Sequence, residues 1–145
     1  MNLIEQIHAL LGAGAVTAVV GDDPAADTEF EVVVGAGKLY KLLAVEVELV
    51  QGATQTPLPA LVIDDGTTEI WRANGAASAQ NASVTATYRW APGVPISGGG
   101  AGTANYGPLL TGFCLSPGWR VRSVTAGKGA NSNYGAPTLY VVEAG

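Results

Sequence analysis

At 145 residues the chain is the size of one domain, long enough to bury roughly 70% of its unfolded surface without a metal or disulfide staple. Seven Lys and Arg against twelve Asp and Glu leave a net charge of −5, which excludes a phosphate-neutralising surface and so nucleic acid as the expected partner. One histidine (His8), one cysteine (Cys114) and 13% charged residues leave too few titratable side chains for clustered acid–base, nucleophilic or metal chemistry, so neither an enzyme nor a cofactor is expected.

The N-terminus lacks the basic start and small-residue cleavage site of a signal peptide, and no run approaches the ~20 apolar residues of a membrane span. A soluble protein made inside the cell, with no membrane partner, is the expectation. Asn2 followed by Glu5 is a capping-box-like start, and Leu3, Ile4, Ile7, Leu10 and Leu11 recur at helical spacing until Gly12. Residues 1–14 are therefore read as an N-terminal arm carrying a short amphipathic helix over 3–11, and 15–145 as a single β domain. So short a helix must lay its apolar stripe on something, by default its own domain and otherwise a neighbour. Those five apolar residues are the candidate partner-binding set.

Ala15–Val20 is an apolar run ended by Gly21, and Asp22, Asp23, Pro24 and Asp27 form a solvated loop. Phe30, Val32 and Val34 alternate onto one face of a strand. The longest alternation runs from Lys41 to Gln51, with Leu43, Val45, Val47 and Leu49 on one side and Ala44, Glu46 and Glu48 on the other, wet side. Pro57 and Pro59 interrupt before Ala60–Asp64, and Asp65-Gly66 supplies the turn that joins this strand to Thr67–Arg72 as a hairpin. Ala73–Asn81 is a small-residue loop, and Val84, Ala86, Tyr88 and Trp90 mark another half-buried strand.

Pro92–Pro108, rich in Gly and Pro, is expected to be a long loop, either a contact surface or a mobile flap. Leu109–Leu115, with Cys114 as a small buried apolar residue, Trp119–Thr125 and Thr138–Glu143 complete eight or nine short strands. With only Phe30 and Phe113 as phenylalanines, the core is expected from Val, Leu, Ile and Ala, with Trp71, Trp90 and Trp119 as its large pieces. The fold class that follows is all-β: an antiparallel sandwich or barrel, jelly-roll-like in connection, preceded by the short helix.

The possible chemical constellations have simpler explanations. Asp64 and Asp65 are neighbours that point to opposite faces, and the hairpin turn accounts for them. Asp22, Asp23 and Asp27 lack the spacing of an EF-hand loop, and Gly12-x-Gly14 follows a helical pattern instead of a strand. His8 has no partner for a triad, and the sequon Asn81-Ala82-Ser83 has no secretory signal to give it meaning. Arg89, Arg120 and Arg122 either pair with Glu46, Glu48 or a partner's acids, or line a solvated sheet face.

Four segments, PALVIDDG (Pro59–Gly66) followed by Trp71, YRWAPG (Tyr88–Gly93), LSPGWRVRSVTAG (Leu115–Gly127) and YGAPTLYVVE (Tyr134–Glu143), resemble a group of small tailed-bacteriophage virion proteins over about residues 40–143. The resemblance implies a structural protein of the virion, a head decoration or cement protein of jelly-roll-like or related β-fold. On that reading it is a homo-oligomer, a trimer being favoured, assembled in the host cytoplasm and seated on the capsid surface. Its partners would be the major capsid protein or other virion subunits. A tail or head-fibre protein that binds tail subunits or host glycans is the alternative, and exposure of Trp119 or Tyr106 beside polar groups would favour glycans.

Overall fold

The computed structural model describes residue 3 and residues 15–52 and 55–144. The predicted helix over 3–11 and the arm 1–14 lie outside the described residues, apart from Leu3 and the chain onward from Ala15.

Among the described residues are eleven strands in two sheets. They are β1 (Val16–Val20), β2 (Glu31–Val33), β3 (Leu39–Gln51), β4 (Leu58–Asp64), β5 (Glu69–Asn74) and β6 (Thr85–Ala91), then β7 (Gly102–Pro108), β8 (Cys114–Leu115), β9 (Arg120–Ala126), β10 (Ser132–Tyr134) and β11 (Thr138–Ala144). One sheet runs β1-β11-β3-β6-β7, with β8 and β10 also paired to β3; the other runs β2-β9-β4-β5. The two form a sandwich-like pair around one core, because alternating residues of each sheet turn inward. Leu61, Ile63 and Val121 of the smaller sheet meet Val45, Leu49, Trp90 and Leu139 of the larger.

Phe30, Val32 and Val34 are buried on one face, as their alternation requires. The Asp65-Gly66 signal likewise marks the β4–β5 hairpin, whose turn is fixed by Gly66 at φ 100° and by Asp65 Oδ1, which accepts the Thr68 and Thr67 N–H groups at 2.7 and 3.0 Å. Pro59 does not end a strand but lies within β4, where its carbonyl accepts the Gly75 N–H at 2.9 Å. Of the three tryptophans only Trp90 is fully enclosed, stacked near Tyr88 and donating Nε1–H to the Ala73 carbonyl at 3.0 Å; Trp71 and Trp119 pack against the core while partly exposed.

Four expectations are corrected. In β3 the pairing with β11 passes from Ala44 directly to Leu42, so Leu43 is the extra residue of a bulge. Leu42 takes the core position, and Leu43 joins Leu39, Val142 and Ala144 in a small separate apolar cluster. The Gly-rich stretch 92–108 is not simply a loop: Gly102–Pro108 is strand β7, laid parallel to β6 in a sheet otherwise antiparallel. Three of its glycines, Gly98, Gly100 and Gly107, serve close packing. A Cβ on Gly107 would come within 2.1 Å of the Asn74 carbonyl oxygen, and one on Gly100 within 2.5 Å of Gln80 Cα. Only Cys114–Leu115 of the predicted strand 109–115 is regular, and Cys114 is exposed, since its neighbours Phe113 and Leu115 take the inward positions. Ser132–Tyr134, outside every strand expected from the sequence, also pairs with β3.

Candidate functional site

Of the predicted partner-binding residues, Leu3 is exposed, and Ile4, Ile7, Leu10 and Leu11 lie outside the described residues, as does His8. The most developed polar centre is instead on the outer face of the smaller sheet. Strand register sets Asp64 opposite Arg120 and Val62 opposite Arg122, so two guanidinium groups on β9 converge on one carboxylate of β4. Arg120 Nε donates to Asp64 Oδ1 at 2.8 Å and Arg122 Nε to Oδ2 at 2.7 Å, and the Gly66 N–H reaches Oδ1 at 2.8 Å. Burial alone would push the Asp64 carboxyl up. The hydrogen bonds from Arg120, Arg122 and Gly66 outweigh it and hold the group at about 2. A carboxylate this low cannot take up a proton near neutrality, so the centre fastens β4 to β9 and to the hairpin turn and offers no general base.

Glu31 lies 3.9 Å from Arg120, and Glu69 with Arg72 forms a second pair beside it on β5, at 2.7 and 3.0 Å. Across the molecule Arg89 pairs with Glu46, directly opposite it in the β3–β6 register and among the partners its sequence position allowed. Spacing along the chain had not linked Arg120 and Arg122 to Asp64, because the partners are 56 and 58 positions apart. A strand with charges at alternate positions beside a strand ending in a carboxylate was the available signal.

Two further polar groups, Gln80 and Asn105, are buried with their partners, and Glu29 is half-buried. Gln80 donates from Nε2 to the Leu49 carbonyl at 3.0 Å and accepts from the Tyr88 hydroxyl at 2.8 Å. Asn105 accepts the Gly100 N–H at 2.8 Å and donates to the Thr87 and Ala101 carbonyls at 3.1 Å. Glu29 Oε2 accepts from Ser123 at 3.0 Å and Thr125 at 2.9 Å, and Thr125 shares a hydrogen bond with Tyr134. Burial raises the hydroxyls of Tyr88 and Tyr134 above the ordinary tyrosine range, so both stay protonated.

The nearest approach to a cation site is at Asp27 and Glu29. Each has one buried carboxylate oxygen without a hydrogen-bond partner, and Asp27, expected in a solvated loop, is half-buried with φ 66°. Two carboxylates fall short of the six to eight oxygens that calcium takes. The Lys128 ammonium, donating to the Asp27 carbonyl, already places a cation there. Among the described residues no three His, Cys, Asp or Glu side chains gather as metal ligands, and no helix is long and apolar enough to cross a membrane.

An open crevice of about 460 Å³ lies where β1 and β2 approach, lined by Val19–Asp22 and Glu31–Val33. Four valines and Gly21 line it together with Asp22 and Glu31, and it holds neither a nucleophile nor a base–orienter pair. Trp119 and Tyr106 are both half-buried. Comparison with protein-family models, with curated proteins and with solved structures found no match.

Proposed function

We propose that this chain is a structural protein of a bacteriophage virion, a homo-oligomeric decoration or cement protein that binds and stabilises the head shell through its surface and carries out no reaction. The observation that carries the reading is the winding of the strands. With β7, β8 and β10 set aside as additions, the remaining eight strands pair first with last, second with seventh, third with sixth and fourth with fifth. That is a long hairpin rolled into two four-stranded sheets, which supports a jelly-roll-like fold, an architecture used by viral capsid and lectin domains and by cupins.

A fold hosts many functions, so the side chains must choose among these. The buried charge, Asp64, is committed to joining strands, whereas the exposed side chains include Val16, Val20, Val33, Ile70, Ile96 and Leu110. Such a surface suits adhesion, in which shell stability grows with the number of occupied contacts. The apolar stripe Leu3, Ile4, Ile7, Leu10 and Leu11 would supply the anchor.

Deleting residues 1–12 is expected to abolish binding to purified heads while far-ultraviolet circular dichroism remains that of the intact β domain. Undiminished head binding by the truncated chain would remove the anchor, and failure of the intact chain to bind any particle would remove the virion reading itself.

A further inference from the structure

We propose that β1 is a pairing edge for a second copy of this chain, joined antiparallel about a two-fold axis at Ala18. The argument begins with backbone valence. Gly21 donates its N–H to the Pro137 carbonyl at 2.8 Å, continuing the β1–β11 register by one residue as a hydrogen-bonded pair. Antiparallel ladders alternate hydrogen-bonded and non-hydrogen-bonded pairs, so Val19 and Thr17 also direct their backbone groups to β11. Val16, Ala18 and Val20 therefore direct theirs away from it, and among the described residues no strand meets them.

The other three sheet edges are blunted. β5 carries the Glu69–Arg72 ion pair, β2 is three residues long and includes Glu31, and β7 has its outer side bridged to Ser97 by two 3.0 Å hydrogen bonds and ends in Pro108. β1 has none of these devices: it reads Val-Thr-Ala-Val-Val, pairs with β11 without a bulge, and has its apolar side chains Val16 and Val20 59% and 65% exposed.

The sequence of the strand selects its occupant. Centred on Ala18, an antiparallel copy sets Ala18 opposite Ala18 and Val16 opposite Val20 of the second chain, which makes all three outward-facing residues hydrogen-bonded pairs. No charge opposes another along the strand, although the chain is acidic overall and its surfaces otherwise repel. Val16 stands directly opposite Val142 on β11, so the joined edges would extend the small apolar cluster of Val142, Ala144, Leu39 and Leu43 across the axis. Such a contact is isologous and closes as a pair, whereas a trimer requires a heterologous surface. A single short strand is small beside the ~1,600 Å² of a standard stable interface, so the pair is reversible and concentration-dependent.

The test is sedimentation velocity on the full chain from micromolar to millimolar concentration, in parallel with two variants. Ala18→Pro removes an outward N–H that β11 does not use, and Val20→Lys places a charge on the edge. The expected result is a rise from one-chain to two-chain mass, with the midpoint moved at least about tenfold to higher concentration in each variant and circular dichroism unchanged. Three results would overturn the inference: a full chain monomeric throughout, an assembly insensitive to both variants, or a limiting mass of three chains. The inference is independent of the virion reading, because a chain that pairs but ignores particles upholds the first and removes the second.

Discussion

Asp64 is the residue on which the smaller sheet turns, because it is 1% exposed and yet charged. A buried carboxylate is tolerated only where donors replace its lost hydration, and here two arginines and a backbone N–H do so. Asp64→Asn keeps the shape but leaves Arg120 and Arg122 without their anion, and is expected to destabilise the fold by about 2–3 kcal/mol in urea titration. Glu69→Ala, by contrast, breaks an exposed, solvent-screened pair and should leave the urea midpoint nearly unchanged. The same centre sets a pH dependence. The Asp64 carboxyl lies at about 2 in the folded chain against 3.8 ordinarily, so its contribution is complete above pH 4 and is lost as pH falls from there toward 2. Unfolding free energy measured across that window should decline by about 2 kcal/mol from this group.

Strands differ in how openly their sequences announce them. Where a strand keeps strict alternation, as at Phe30, Val32 and Val34, its face is readable from the residues alone, and the Asp65-Gly66 turn is equally plain. The β3 bulge is not, because moving Leu43 out and Leu42 in depends on pairing with Val141, a contact about a hundred residues away. β7 is hidden for another reason: Gly and Asn have low strand propensity, and it is the fit of Gly107 against Trp90 and Asn74 and the hydrogen bonds of Asn105 that explain them. Gly107→Ala is accordingly expected to cost about 3 kcal/mol or more, since the added methyl meets backbone that cannot move aside, and the thermal midpoint reports it. The Asp64 centre was equally invisible to local pattern: each arginine is legible as a charge on a strand, but its partner is set by register between distant segments.

Among the described residues the first strand of the molecule pairs with the last, Val16 against Val142. Almost every sheet contact must wait for distant segments to meet, so folding is expected in milliseconds to seconds, readable by stopped-flow fluorescence of Trp90 as it enters the core. A microsecond phase carrying the full amplitude would contradict the topology. The same closure governs how the domain bears load. In an antiparallel pair the start of β1 and the finish of β11 lie side by side, so tension on those two ends pulls apart one rung at a time and never strains the whole ladder together. Tethered at those ends the domain is mechanically soft.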